Sequence, residues 1–201
     1  SEIAEQKAGI IKKNSDVIYL RRPDDETVEK VIKAKCEKEN SILHQINPQD
    51  CTDYRYDKNM QYFTYKNIKD IPVNLKGKKQ IYNSTICIET VEILRKKGYK
   101  IDENIMKTAL SKVIHRARFE TLEENPEIIY DGAHNPPAIE NLIKTINQYY
   151  KEKQKIFIVS ILGTKDYKEI VHNLVEEYSE DIFYFTDGID EKPFIKKEDL
   201  E

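Results

Sequence analysis

Cysteine is scarce in this chain, which has three cysteines and no Cys-x-x-Cys pair. The four histidines do not cluster in sequence with Cys36, Cys51 or Cys87. An odd number of widely separated cysteines supports neither a zinc site nor a disulfide framework, and it favours a reducing, cytoplasmic compartment.

Long apolar runs and an excess of one charge are also missing. No apolar stretch approaches the roughly 20 residues that a membrane-spanning helix needs. Lysine and arginine total 33 against 36 aspartates and glutamates, which gives a formal net charge of -3. A nearly balanced chain without a basic stripe lacks the electrostatic signature of a nucleic-acid-binding protein. We therefore expect neither nucleic acid nor a membrane as a partner.

The ends of the sequence have the character of interior segments. Residues 1–8 lack an initiator methionine and already have the pattern of a helix body, whereas natural N-termini usually begin with frayed polar residues. Residues 196–201 stop without a closing strand. We expect further sequence upstream of this chain.

Strand and helix patterns alternate along the first half, and 201 residues suffice for one or two domains. A β-prone run at residues 16–20 precedes a helical pattern that begins near Asp24. Between residues 41 and 73, short runs with alternating tyrosines predict antiparallel strands inserted on an α/β scaffold. A helix is then predicted from about Gln80 to Lys97, with Gly98 ending it.

A second α/β region is predicted after Gly98. It begins with a helix that Asp102 is suited to cap. Three strand-like runs separated by two amphipathic helices follow, at residues 127–131, 155–162 and 181–185. This β-α-β-α-β order predicts a parallel sheet with right-handed crossovers. The sequence therefore predicts one domain at residues 1–98 and a Rossmann-like domain at 99–201.

The turn after the first of these strands has the composition of a ligand-binding loop. The apolar run 128–130 ends at Asp131, Gly132 permits a turn, and Asn135 is suited to begin a helix. Ligands of parallel sheets bind beyond the carboxyl ends of the strands, where Asp131 and His134 would lie. The alternative is that Asp131 and Asn135 only accept hydrogen bonds from backbone amides of the turn.

Three other segments contain residue types that bind nucleotides, and each also has an ordinary structural explanation. Arg116 and Arg118 precede the turn, and a guanidinium matches phosphate oxygens, although exposed arginines more often bind nothing specific. The Asn83 amide offers a donor and an acceptor, as an adenine edge requires, or simply faces solvent. Lys7 has the spacing of an ordinary surface lysine.

Four segments, taken in their order along the chain, resemble the folylpolyglutamate synthase and dihydrofolate synthase family of the Mur ligase superfamily. They are Glu5-Gln6-Lys7-Ala8-Gly9-Ile10-Ile11, Leu75-x-Gly77-x-x-Gln80-x-x-Asn83, Arg118-x-Glu120 and Asp131-Gly132-Ala133-His134-Asn135-Pro136. The last is the most specific, and the resemblance covers essentially the whole chain. It implies that residues 1–98 are the second half of an ATPase domain, with the glycine-rich phosphate loop upstream, and that 99–201 are most of a ligase domain.

The resemblance also implies a reaction. Enzymes of this family use ATP and Mg²⁺ to phosphorylate a carboxylate, and the amino group of L-glutamate attacks the acyl phosphate to form an amide. For this chain we expect a monomeric parent that adds glutamate to reduced folates, and a fragment that is inactive alone. Dihydrofolate synthase, which uses dihydropteroate, or a bifunctional enzyme is an alternative. A non-catalytic binding or assembly module with the same fold is an alternative of another class.

By position, the resemblance assigns roles to five residues. Lys7 matches a carbamylated lysine that helps to hold Mg²⁺, and Asn83 matches an asparagine near adenine. Arg118 and Asp131 match residues that contact the nucleotide, and His134 matches the histidine beside that site.

Two positions depart from the family pattern. Arg116-Ala117 stands where Pro-Gly is common before the arginine, so we expect the loop to bend differently. Lys79 stands where a histidine is common before the glutamine at position 80. Neither departure removes a residue with an assigned role, but both bear on nucleotide fit.

Overall fold

The computed structural model describes residues 2–22, 26–162 and 166–186. The predicted helix start at Asp24 and the chain from residue 187 onward lie outside the described residues. The helices are α1 (Glu2–Ala8), α2 (Glu26–Lys38), α3 (Lys78–Lys96), α4 (Glu103–Lys112), α5 (Pro136–Tyr150) and α6 (Tyr167–Glu177). The strands are β1 (Asp16–Leu20), β2 (Ile42–Ile46), β3 (Cys51–Tyr56), β4 (Gln61–Tyr65), β5 (Ile68–Val73), β6 (Glu120–Glu124), β7 (Glu127–Tyr130), β8 (Ile156–Val159) and β9 (Ile182–Phe185).

The chain divides into two compact units, Ser1–Ile114 and His115–Glu201. The first unit contains a parallel pair, β1 with β2, and an antiparallel sheet in the order β3-β4-β5. The expected antiparallel insertion is therefore present from β3 onward. Strand β2, which we expected to belong to it, instead pairs in parallel with β1. The intervening helix α2 explains this, because a helical crossover returns the chain in its original direction.

The core of the first unit lies between the antiparallel sheet and helices α3 and α4. Its most buried members come from β4, β5 and α3, and include Phe63, Tyr65, Ile71, Val73, Ile81 and Ile88. Helix α4 contributes Met106 and Leu110 to the same cluster and packs against β5. This packing is why the first unit extends to Ile114, beyond the predicted boundary near residue 98.

Helix α4 begins as predicted at Asp102, whose Oδ1 accepts a hydrogen bond from the amide of Ile105 at 2.7 Å. Asp102→Ala is expected to lower the free energy of unfolding of the first unit by about 1 kcal/mol, because one orphan amide loses its acceptor. Chemical denaturation followed by circular dichroism measures this change. Asn104→Ala, at an exposed position in the same first turn, is the control and should shift stability by less than about 0.5 kcal/mol. Equal effects of the two substitutions would contradict a capping role.

The second unit contains an antiparallel hairpin, β6 with β7, and a parallel pair, β8 with β9. The parallel pairing of the last two strands agrees with the sequence pattern. Strand β7 departs from the predicted parallel sheet. Its hydrogen-bonded partner in the described residues is the antiparallel strand β6, an acidic segment that the sequence pattern did not identify as a strand. Helices α5 and α6 pack together over a core whose most buried members are Ile139, Ile161, Ile170, Leu174 and Tyr178.

The mixed parallel and antiparallel α/β architecture confirms the predicted fold class. Within the described ranges, no helix combines the length and the apolar character needed to traverse a bilayer.

Candidate functional site

Arg118 lies in a loop whose backbone is left-handed on both of its sides. Ala117 has φ 57° and Phe119 has φ 49°, a region that costs a residue with a side chain roughly 1–2 kcal/mol. The Phe119 side chain is buried and packs against Tyr149 and Tyr150, at ring-centroid distances of 6.4 and 6.1 Å. Arg118 between them is exposed. The loop thus buries an aromatic anchor and presents a guanidinium to solvent.

Asp131 ties this loop to the turn that follows β7. Its Oδ2 accepts the amide of Phe119 and its Oδ1 accepts the amide of Ala133, both at 2.8 Å. A further bond runs from the amide of Gly132 to the carbonyl of Ala117 at 3.0 Å. The hairpin explains this proximity: the first residue of β6 pairs with the last residue of β7, so the residues just outside the hairpin face each other.

The two arginines before β6 are in different environments. Arg116 forms an ion pair with Glu120, whose Oε2 also accepts the amide of Ala117 at 2.9 Å. The hydrogen bond from the Ala117 amide lowers the pKa of Glu120, and Arg116 adds to this effect. Together they outweigh the desolvation of the carboxylate, so the pKa of Glu120 lies below its usual value. Arg118 makes no ion pair or side-chain hydrogen bond with any residue that the structure describes. Of the two, Arg118 is the cation available to an anionic ligand.

His134 and Asn135 lead from the turn into α5. The Nδ1 atom of His134 lies 2.8 Å from the carbonyl oxygen of Gly132. A carbonyl only accepts hydrogen bonds, so Nδ1 carries the proton, and Nε2 is an acceptor when the ring is neutral. Asn135 caps α5 as predicted, its Oδ1 accepting the amide of Ala138 at 3.0 Å. Asp131 and Asn135 therefore do make the backbone contacts that the sequence offered as an alternative to ligand binding.

The structure brings Arg118, Asp131 and His134 together within the second unit. Asp131 binds the amide of the residue that follows Arg118 and the amide of the residue that precedes His134. Arg118 and His134 are both exposed, and the turn that holds their neighbours leads into the N-terminus of α5, where helix amides and the helix dipole favour anions.

Lys7 and Asn83 belong to the first unit. Lys7 is exposed near the end of α1. Asn83 is exposed on α3, and its Nδ2 donates to Oε1 of Gln80 at 2.9 Å. This bond uses one amide hydrogen, so the second hydrogen and Oδ1 remain for a ligand.

Gln61 is a residue of this region that the sequence patterns did not identify. Its side chain is fully buried, at 0% exposure. Its Oε1 accepts the Tyr54 hydroxyl at 2.7 Å, and its Nε2 donates to the carbonyls of Leu75 and Gly77. Gln61 thereby fixes the chain that begins α3 and leads to Asn83. The available signal was a glutamine within the apolar and aromatic strand β4, where an amide needs internal partners.

Metal ligands are sparse in the described part of the chain. It contains no group of three or more histidine, cysteine, aspartate or glutamate side chains placed to hold a metal ion. A free lysine ammonium cannot ligate a cation, so Lys7 would contribute only as a carbamate. The described residues alone do not form a magnesium site.

Known proteins are similar to this chain in both sequence and fold. Residues 117–200 match the family model of the Mur ligase glutamate ligase domain. The folylpolyglutamate synthase of Lacticaseibacillus casei is 29% identical over 187 residues, which cover 88% of this chain and 42% of that enzyme. The dihydrofolate synthase/folylpolyglutamate synthase of Bacillus subtilis is 26% identical over 181 residues, covering 86% and 41%. The chain thus spans less than half the length of these relatives.

Solved structures extend the comparison. A folylpolyglutamate synthase in complex with AMPPCP and folate superposes with a TM-score of 0.80 at 28% identity, over 91% of this chain and 45% of that one. The Mycobacterium tuberculosis folylpolyglutamate synthase complexed with ADP shares the fold, with a TM-score of 0.85 at 22% identity, over 99% and 45%. Residues 117–200 thus match the glutamate ligase domain of Mur ligases, and most of the chain is similar to folylpolyglutamate synthases and dihydrofolate synthases.

Proposed function

We propose that this chain is part of an ATP-dependent amide ligase that adds L-glutamate to folates through an acyl phosphate. The observation that carries the proposal is Arg118, an exposed cation on a strained loop, braced to the His134 turn within the segment that matches the glutamate ligase domain. A relative that binds AMPPCP and folate supports both ligand classes. The activity is proposed for a longer protein, because the chain spans less than half of its relatives.

In this proposal the second unit holds the phosphates of ATP. Arg118 donates to phosphate oxygens, since its planar fork matches them bidentately. The N-terminus of α5 adds its dipole, and His134 presents Nε2 beside it. Arg118 and the helix dipole offset the negative charge that spreads over the transferred phosphoryl group. A substrate carboxylate becomes reactive toward the glutamate amine only after it has been phosphorylated.

Two residues of the first unit have proposed ligand roles of their own. Asn83 retains one amide hydrogen and Oδ1 for the edge of adenine. Lys7, once carbamylated, would offer oxygen atoms to Mg²⁺, which supplies charge neutralisation when bound. The described residues contain no group of three or more histidine, cysteine, aspartate or glutamate side chains placed to hold the ion, so phosphate oxygens, water or residues outside the described ranges would complete its coordination. We also propose that the first unit, predicted as residues 1–98 and packed as residues 1–114, is the end of an ATPase domain.

A second substrate has support from the names of the relatives. Those in Bacillus subtilis and Buchnera aphidicola carry both activities, dihydrofolate synthase and folylpolyglutamate synthase. Dihydropteroate is therefore the alternative acceptor of glutamate. A monomeric, cytoplasmic enzyme without a nucleic-acid partner remains our expectation, and the three free cysteines agree with a reducing compartment.

The test is ATP-dependent incorporation of labelled glutamate by the full-length protein, with a reduced folate and with dihydropteroate in parallel. Arg118→Ala is expected to raise the KM for ATP about 10- to 100-fold, because a charge-assisted contact with phosphate is lost. Arg116→Ala is the matched control. The Arg116 guanidinium is 85% exposed, so its ion pair with Glu120 contributes little and the KM should change less than about twofold.

Two results would count against the proposal. Equal KM values for the two arginine variants would remove Arg118 from the nucleotide site. A full-length protein that binds ATP but adds glutamate to neither acceptor would favour the non-catalytic module instead.

A further inference from the structure

We infer that Glu120 is a positioning residue, which holds the loop that carries Arg118 in the conformation that presents its guanidinium to a nucleotide. This inference rests on the proposed function and goes beyond it, because neither the sequence patterns nor the family resemblance gave Glu120 a role. Its basis is the hydrogen bond that Oε2 of Glu120 accepts from the amide of Ala117 at 2.9 Å, one residue before Arg118.

The hairpin of β6 and β7 fixes Glu120 itself. Glu120 is the first residue of β6 and pairs with Tyr130, the last residue of β7. Its side chain is only 11% exposed, and a charge so far removed from water has to be paired and hydrogen-bonded. Arg116 pairs with Oε1, and the Ala117 amide binds Oε2. The amide bond and, second to it, Arg116 lower the pKa of Glu120, so the group is an anion at neutral pH.

Ala117 needs such a contact because its backbone is left-handed, with φ 57°. That conformation is unfavourable for a residue with a Cβ atom and persists where the surrounding structure holds it. Glu120 binds the amide nitrogen of Ala117 at 2.9 Å, and the amide of Gly132 binds its carbonyl oxygen at 3.0 Å. Both peptide groups that flank the Ala117 Cα atom are thus anchored, and the second of them leads directly into Arg118.

Two carboxylates hold the main chain on the two sides of Arg118. Glu120 acts on the preceding residue, and Asp131 accepts the amide of the following one, Phe119. Asp131 keeps acceptor sites for a hydroxyl donor of a ligand, since a carboxylate has about four lone-pair positions. Within the described ranges, neither carboxylate pairs with the Arg118 guanidinium. The loop is therefore held by its backbone, and its cation stays available.

The experiment compares Glu120→Gln with Glu120→Met in the full-length protein by their KM for ATP. Both side chains are uncharged and close to glutamate in length, but only glutamine offers an oxygen to the Ala117 amide. Glu120→Gln should keep the KM within about threefold of wild type. Glu120→Met is expected to raise it about tenfold, since a misplaced arginine loses its contact with phosphate. Equal KM values for the two variants would overturn the inference.

A double-mutant cycle with Arg118→Ala separates positioning from a direct contact. In the Arg118→Ala background, Glu120→Met should change the KM less than about twofold, because its effect passes through Arg118. Effects that multiply in the double variant would mean that Glu120 acts on the nucleotide independently, and the inference would be wrong. An unchanged KM in Arg118→Ala alone would be a different result, because it would refute the proposed function itself.

Ala117→Gly distinguishes positioning from a simple folding defect. Glycine adopts the left-handed conformation without the steric cost, so it reduces the need for the contact from Glu120. In the Glu120→Met background it should raise the thermal midpoint and lower the KM for ATP about threefold, toward the wild-type value. The kinetics are measured below the midpoint of the least stable variant. Recovery of the midpoint without recovery of the KM would show that Glu120 has only a structural role.

Discussion

Gln61→Leu is expected to lower the free energy of unfolding of the first unit by about 3 kcal/mol or more. The substitution removes three hydrogen bonds at a fully buried position, and each buried bond contributes about 1 kcal/mol or more. The carbonyls of Leu75 and Gly77 would then face an aliphatic side chain. Urea denaturation followed by circular dichroism measures the loss.

Gln49→Leu is the matched control, because Gln49 is exposed. It should change stability by less than about 0.5 kcal/mol. If the two leucine variants were equally stable, the buried amide would have no structural role. In the full-length protein we also expect Gln61→Leu to weaken ATP binding, because the start of α3 that leads to Asn83 loses its support.

Phe119→Ala is expected to have the largest effect in the second unit. It should lower the free energy of unfolding of that unit by about 3–5 kcal/mol. The side chain is 6% exposed and packs on Tyr149 and Tyr150, so its removal leaves a cavity beside α5. The strained loop would also lose its anchor, which should raise the KM for ATP of the full-length protein along with the loss of stability. Thermal and chemical denaturation give the first quantity, and steady-state kinetics the second.

Phe119→Leu separates burial from ring contacts. Leucine retains most of the apolar area, so we expect this substitution to lower the free energy of unfolding by less than about 1.5 kcal/mol. A leucine variant as unstable as the alanine variant would instead assign the stabilisation to the aromatic contacts. An alanine variant as stable as wild type would show that the loop does not depend on this anchor.

Features that depend on neighbouring residues were predictable from the sequence. Asp102 and Asn135 cap their helices because a short polar side chain reaches an amide three residues ahead. Gly98 follows α3 with φ 94°, the conformation that glycine adopts without strain. These are interactions within one turn of chain, and their chemistry is visible in the order of residues.

Strand partners were predicted less well, because they depend on contacts between distant segments. The pattern of β2 did not reveal its parallel pairing with β1, and the acidic residues of β6 gave no strand signal. A strand's preference reflects the surface it packs against more than its own composition. The altered bend expected from Arg116-Ala117 stays a prediction, and Ala117 adopts a left-handed backbone that glycine would adopt readily.

The candidate site combines both kinds of information. The hydrogen bond that the Ala133 amide donates to Asp131 lies within one turn of the chain. The sequence offered such a backbone contact as an alternative to ligand binding by Asp131. The bond to Phe119 spans 12 positions and depends on the hairpin, which no local pattern revealed. Gln61 was missed for the same reason, since its partners at Leu75 and Gly77 lie 14 and 16 positions away.

The two hydrogen bonds that Asp131 accepts come only from main-chain amides, which every residue except proline possesses. The side chains at positions 118 and 134 can therefore change while the geometry that presents them stays the same. If the turn binds a ligand as proposed, exchanging those two side chains would alter its preference without the design of a new backbone.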